Sequence, residues 1–143
     1  MSTLCDTLAT HDRVDVIIKR LADIKRTEST LAAERMSLLA ELSSLRPADP
    51  EITLMRDGNL SRREARDTVN RHSTIDTAPV FGDALSTGDI SVAHIDGLSR
   101  AFKIVGDQPD ALIERLPALI NAATHMNADD FDRHVKNTAK ALV

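Results

Sequence analysis

The stretch DRVDVIIKRLADIKRTESTLAAERMSLLAELSSL, residues 12–45, decides the fold of this chain. It contains neither glycine nor proline, and its apolar residues recur at intervals of three and four, which is the spacing of one helix face. We call this set the apolar stripe: Val14, Ile17, Leu21, Ile24, Leu31, Leu38, Leu42 and Leu45. The pattern predicts one long helix over residues 12–46. It ends there because Pro47 disfavours helical backbone in the residue before it.

The apolar stripe has two interpretations. In heptad notation every d position is apolar, whereas two a positions in the middle, Glu28 and Arg35, are charged. The helix can pack the stripe on its own domain, with these two residues at the wet edge. Alternatively, it can form a dimeric coiled coil in which the polar a residues fix the register. A short seam with polar interruptions is a weak coiled-coil signal, so the sequence favours packing within the domain.

The remainder, residues 49–143, is divided by capping and stop signals into a bundle of about six shorter helices. Ser61 and Glu64 form a capping box, and Thr77, Ser91 and Asn127 are further predicted N-caps. The predicted helices span residues 50–56, 62–72, 78–87, 92–105, 109–124 and 128–143. In the last helix, pairs four residues apart are expected between Asp129 and Arg133 and between Asp132 and Lys136. No segment alternates with period two, so we predict a single all-α domain.

Composition narrows the classes of function. The net charge is −4, so no overall field attracts nucleic acid or an anionic membrane. Three Phe, no Tyr and no Trp leave few stacking platforms for single-stranded bases. Cys5 is the only cysteine, which excludes an intrachain disulfide. The chain has neither a signal-peptide pattern at its start nor an apolar run near 20 residues. We therefore expect a cytoplasmic location and no membrane contact.

Catalytic and metal-binding patterns are missing from the sequence. The five histidines are scattered, and none forms a metal-ligand pair with another. We expect His94, in the first turn of its helix, to pack or to form hydrogen bonds there rather than to bind a metal. There is no nucleophile elbow, phosphate-binding loop or dinucleotide fingerprint. The sequence thus predicts no enzyme activity, cofactor, metal or small-molecule ligand.

The strongest local signal is the pair of helices over residues 50–72. A short helix, a turn through Gly58 and a capped second helix form the layout of a helix-turn-helix. The second helix carries side chains of the kind that contact phosphates and base edges: Arg62, Arg63, Arg66, Asn70 and Arg71. The alternative is a solvated helix face with Asp67 and Arg71 as an intrahelical pair.

Three segments resemble a known family. They are LSRREA at residues 60–65, ALSTGDISVAH at residues 84–94, and LPALINAA with MNADDF between residues 116 and 131. Together with the long helix they resemble the N-terminal helical domain of actinobacterial HNH-endonuclease-like proteins, the 13E12-repeat family. The middle segment is also similar to the helix-turn-helix region of ParB-type partition proteins.

The resemblance implies a longer parent protein with a metal-dependent HNH nuclease domain beyond Val143. None of the catalytic residues of that domain has a matching position in this sequence. Our leading hypothesis is therefore a non-catalytic, DNA-associated helical module that positions such a nuclease domain. The alternative is a protein-interaction or oligomerisation domain, with a homodimer formed through the long helix.

Overall fold

The computed structural model describes residues 2–47 and 49–143, and every regular element in them is an α-helix. The eight helices are α1 (Ser2–Leu45), α2 (Pro50–Arg56), α3 (Arg62–Thr77), α4 (Pro79–Thr87), α5 (Val92–Val105), α6 (Pro109–Ile113), α7 (Leu116–His125) and α8 (Ala128–Ala141). The all-α prediction, with one long helix ahead of shorter ones, is confirmed. Within the described ranges, none of these helices is long and apolar enough to cross a bilayer.

Helix α1 comprises 44 residues and is therefore about 65 Å long. It begins at Ser2 rather than at Asp12, because the segment before the apolar stripe contains no glycine or proline to stop it. Its C-terminal half packs on the bundle through Ser29, Met36 and Leu39, all of which are buried. The N-terminal arm, which we define as residues 9–25, is exposed at every residue.

Helix α5 lies at the centre of the bundle and packs mainly against α8. Its buried aliphatic residues are Ile95, Leu98, Ala101 and Val105, and the facing side of α8 supplies Phe131, Val135 and Ala139. Phe81 of α4 reaches the same core, and its ring centroid lies 6.0 Å from that of Phe131. This core is aliphatic apart from a few rings, as the composition requires.

A second, smaller cluster joins α1 to α2 and α3. It contains the buried residues Leu39, Leu54 and Ala65, with Leu60 packed against them. Ser61 caps α3, because its hydroxyl accepts a hydrogen bond from the Glu64 N–H at 3.2 Å. The predicted start of α3 is thus confirmed.

Helices α3 and α4 meet differently from the prediction. Helix α3 continues past His72 to Thr77, and α4 is preceded by Ala78 rather than capped by Thr77. Pro79 explains both differences, since it disfavours helical backbone at Ala78 and fits the first position of a new helix. The Thr77 hydroxyl instead donates to the carbonyl of Ser73 within α3.

The single helix predicted over residues 109–124 is wrong. The structure divides it into α6 and α7, so that seven rather than six helices follow α1 within the described residues. Pro117 has no N–H to donate to the carbonyl of Ile113, and its ring would clash with that carbonyl in a continuous helix. The chain therefore turns at Glu114 and Arg115 and resumes with Pro117 in the first turn of α7.

The ion pairs predicted within α8 are also replaced. Asp132 accepts hydrogen bonds from the Arg100 guanidinium of α5, the shorter at 2.8 Å, instead of pairing with Lys136. Arg133 lies 3.9 Å from Asp130, one turn away, rather than pairing with Asp129. Because α8 packs on α5, the Asp132 side chain pairs with a residue of α5 instead of one in its own helix.

Candidate functional site

The basic face of α3 is presented to solvent by its first two turns. Arg62, Arg63 and Arg66 are exposed, because Ala65 and Thr68 occupy the buried side of the same turns. Arg66 lies 3.7 Å from Glu51 of α2, but its side chain is 64% exposed, so this surface pair is weak. Three of the five predicted contact residues thus have guanidinium groups that a ligand can reach.

Arg71 belongs to the fold rather than to this face. Its Nε donates to one carboxylate oxygen of Asp96 at 2.8 Å, and a terminal nitrogen donates to the other at 2.9 Å. These hydrogen bonds raise the pKa of the Arg71 guanidinium, against the opposing effect of its burial. Arg71 therefore braces α3 against α5 and pairs with Asp96 rather than with Asp67. Asn70, one residue earlier, is exposed.

A polar groove of about 400 Å³ separates α3 from α5. Its lining includes Arg63 and Asn70 from α3 and Lys103 from α5. Lys103 is exposed and adds positive charge that the sequence prediction missed. No local signal could have found it, because residues 40 positions apart become neighbours only when α3 packs on α5. Asp67 and Asp96 line the same groove and offset much of its charge.

The apolar stripe of α1 is the second candidate surface, and its placement corrects the prediction. Seven of its eight residues are between 39% and 76% exposed, and Leu42 is half-buried. The stripe therefore does not pack on its own domain. The bundle instead covers the neighbouring face of α1, where Ser29, Met36 and Leu39 are buried and Ala32 and Ala33 are partly buried.

This choice of face has a physical basis in residue size. Alanine and serine let the helices approach closely, and the Thr30 hydroxyl of α1 donates to the Ser86 carbonyl of α4 at 3.2 Å. The branched and long residues of the stripe lie to one side of this contact. A sequence pattern reports which face is apolar, but it cannot say whether that face meets the chain's own helices or another chain.

Beside the stripe lies a groove of about 590 Å³ between α1 and α2, here called the α1–α2 groove. Its apolar lining consists of Leu31, Leu38, Leu39, Leu42 and Leu54. Charged side chains, among them Glu34, Arg35 and Asp57, also line it. Leu39 and Leu54 are buried, so the accessible apolar part of the groove is formed by the stripe residues Leu31, Leu38 and Leu42.

Within residues 2–47 and 49–143, no group of three His, Cys, Asp or Glu side chains is placed to hold a metal ion. His94 packs and forms hydrogen bonds at the start of α5, as predicted. The Ser91 hydroxyl also lies 2.9 Å from its Nδ1, so both ring nitrogens have partners within the protein.

Comparison of the chain with protein-family models, with curated proteins and with solved structures finds no match. The resemblance to the 13E12-repeat proteins therefore stays a prediction, and the function is inferred from these two surfaces.

Proposed function

We propose that this chain is a helical interaction module that self-associates through the apolar stripe of α1. One observation carries the proposal: the stripe is exposed over about 45 Å of helix, while the bundle core is built on another face. Contiguous exposed apolar surface of this kind is typical of protein-interaction sites. The regular spacing of the stripe suits a partner that is itself a helix.

The N-terminal arm gives the second reason. A solvated helix of this length is marginal in water, because most helical stability in proteins comes from packing of an apolar face. Pairing with another helix would supply that packing. Each Val, Leu or Ile side chain that becomes fully buried contributes roughly 1.5–3 kcal/mol relative to an exposed one.

The test is sedimentation equilibrium of the purified chain over a wide concentration range. We expect a reversible dimer, and we expect Ile17→Asp to shift the chain to monomer. Val16→Asp is the matched control, since Val16 is an exposed apolar residue next to Ile17 and lies outside the stripe. Both changes place the same residue in the same turn, so their helix-propensity costs are alike. A monomer at every concentration, or equal effects of the two substitutions, would contradict the proposal.

DNA contact by α3 is the second candidate function. It is supported by the exposure of Arg62, Arg63 and Arg66 on consecutive turns, with Asn70 one turn further. Arg71 is omitted, because Asp96 already occupies its guanidinium. In a protein that carries an HNH nuclease domain, as the resemblance implies, such a module would position the nuclease on DNA. The net charge of −4 makes this the weaker of the two proposals.

Fluorescence anisotropy with a labelled random duplex, from low to physiological salt, tests this second candidate. Arg62→Ala/Arg66→Ala should weaken binding and reduce the slope of log K against log salt by about 2, since each phosphate contact contributes about 0.9. The control is Arg115→Ala/Arg133→Ala, which removes the same charge from exposed positions outside α3. Equal slopes for the two double variants would count against α3 as the DNA surface.

A further inference from the structure

We infer that α1 self-associates in an antiparallel arrangement, in which the N-terminal arm of each copy lies along the α1–α2 groove of the other. The inference rests on the proposed function, because it specifies the partner and the geometry of the same stripe. Its support comes from the charges that flank the stripe, from the charges inside it and from the position of the groove.

The g positions of the heptad, which flank the stripe on one side, change sign along α1. In chain order they are Arg13, Arg20, Thr27, Glu34 and Glu41, and all are exposed. In antiparallel helix pairs, g positions of one helix face g positions of the other. If Leu21 faces Leu31 of the second copy, Arg20 lies opposite its Glu34 and Arg13 opposite its Glu41. Two-fold symmetry repeats both attractive pairs.

A parallel, in-register pair of helices places like charges together. Each a position then faces itself, so Glu28 meets Glu28 and Arg35 meets Arg35 of the second copy. The g position Arg20 would face Lys25, an e position of the next heptad, which is also repulsive. The parallel arrangement gains a single favourable flanking pair, between Glu41 and Arg46.

The antiparallel register separates the two Arg35 positions and offsets the two Glu28 positions, and its one repulsive flanking pair is between the two copies of the e position Lys25 at the two-fold axis. With a rise of 1.5 Å per residue, the two Arg35 positions lie about 27 Å apart along the axis, and the two Glu28 positions about 6 Å apart. Arg35 then lies opposite Ile17 of the second copy, at the edge of the α1–α2 groove, where its guanidinium can reach water. The charged a positions thus oppose the parallel pair and are tolerated by the antiparallel one.

The groove is in the right place for the arm. In this register the arm residues Val14 and Leu21 of one copy lie opposite Leu38 and Leu31 of the other, and both of these leucines line the groove. Leu54 of α2 also lines the groove but is only 5% exposed, so the accessible apolar surface there comes mainly from α1. The exposed arm of each copy therefore meets the exposed leucines of the groove of the other, twice in one dimer.

Cysteine cross-linking tests the orientation directly. In a Cys5→Ser background, single variants Leu21→Cys, Leu31→Cys and Leu38→Cys are oxidised alone and in pairwise mixtures. The antiparallel dimer should give a mixed disulfide between the Leu21 and Leu31 variants, since facing core positions can meet disulfide geometry. A mixed disulfide between the Leu21 and Leu38 variants would also support it, with a shift of one heptad. Efficient self-cross-linking of the Leu21→Cys chain, without mixed products, would overturn the antiparallel arrangement.

Charge reversal at one flanking position is an independent test, because it changes the dimer Kd in opposite directions for the two orientations. Arg20→Glu should raise the dimer Kd by about tenfold, because it faces Glu34 in both halves of the antiparallel dimer. Adding Glu34→Arg should restore the original Kd. In a parallel dimer Arg20→Glu would instead tighten association, by relieving repulsion from Lys25, and that result would overturn the inference. A chain that never dimerises would refute the proposed function itself, whereas a parallel dimer refutes the orientation alone.

Discussion

At the residue scale, the His94 side chain caps the start of α5 and contacts both α8 and the residue that follows α7. Its Nδ1 accepts the Ser91 N–H at 3.1 Å, and its Nε2 donates to the Met126 carbonyl at 2.9 Å. Its ring centroid lies 5.6 Å from that of Phe131. The side chain takes the position that Glu or Gln occupies in a capping box. Both hydrogen bonds require the neutral ring with its proton on Nε2.

The first prediction follows from this requirement. Burial, helped by the charge of Lys25, lowers the pKa of His94 below 6.5, although its hydrogen bond to Met126 acts in the opposite direction. The unfolded state therefore binds a proton more readily than the folded state. The stabilisation is complete above the unfolded pKa, and it is lost as pH falls through the lower folded pKa.

The measurement is urea unfolding at several pH values between about 8 and 5. His94→Gln keeps an acceptor for the Ser91 N–H but cannot titrate, so its free energy of unfolding should fall less steeply towards acid pH. At pH 8 we expect this variant to be less stable by about 1–2 kcal/mol, from the lost ring packing and the altered hydrogen bond to Met126. Parallel pH profiles of the two proteins would contradict this role of His94.

At the element scale, local chemistry predicts where most helices start better than where they end. Pro50, Ser61, Ser91 and Asn127 mark helix starts as predicted, since each acts within its own turn. The predicted helix over residues 109–124 is too long, because its apolar spacing continues through a proline that interrupts the backbone hydrogen bonds. The spacing of apolar residues shows which side chains share a helix face. Where a helix ends depends instead on which backbone hydrogen bonds can form.

The second prediction concerns the junction of α4 and α1 at Gly88. This residue ends α4 with φ at +82°, and a Cβ placed there would overlap Cγ of Arg26 and lie 3.2 Å from its Cα. Gly88→Ala should therefore destabilise the fold by about 2 kcal/mol, through both backbone strain and displacement of Arg26. Differential scanning calorimetry should show a clearly lower Tm.

Gly106 provides a comparison in which backbone strain acts without a contact. Its φ is +56° with ψ at −113°, outside the left-handed helical region that Gly88 occupies, and a Cβ placed there would have no atom within 4 Å. Gly106→Ala should therefore cost backbone strain alone, about 1–3 kcal/mol. A loss of no more than about 1 kcal/mol for Gly88→Ala, which its left-handed backbone alone explains, would show that the contact with Arg26 contributes little.

At the scale of the whole molecule, the chain is a bundle from which half of a long helix extends. The sequence predicted the basic face of α3, but not that packing would assign Arg71 to Asp96 and bring Lys103 beside Arg63. It also revealed the apolar stripe. Its exposure could not be predicted, because the spacing of apolar residues does not show what they pack against. Tertiary contacts between distant residues decided both outcomes.

The last prediction uses this division between bundle and arm. If dimerisation orders the arm, backbone amide hydrogen exchange over residues 9–25 should slow as protein concentration rises through the dimer Kd. Amides of α5 in the bundle core should change little, since their protection depends mainly on the bundle. In Ile17→Asp the arm should exchange quickly at every concentration, whereas Val16→Asp should behave as the unsubstituted chain does. Arm protection that is independent of concentration and unaffected by Ile17→Asp would mean that the arm is ordered without a partner. That result would contradict the proposal that the stripe mediates association.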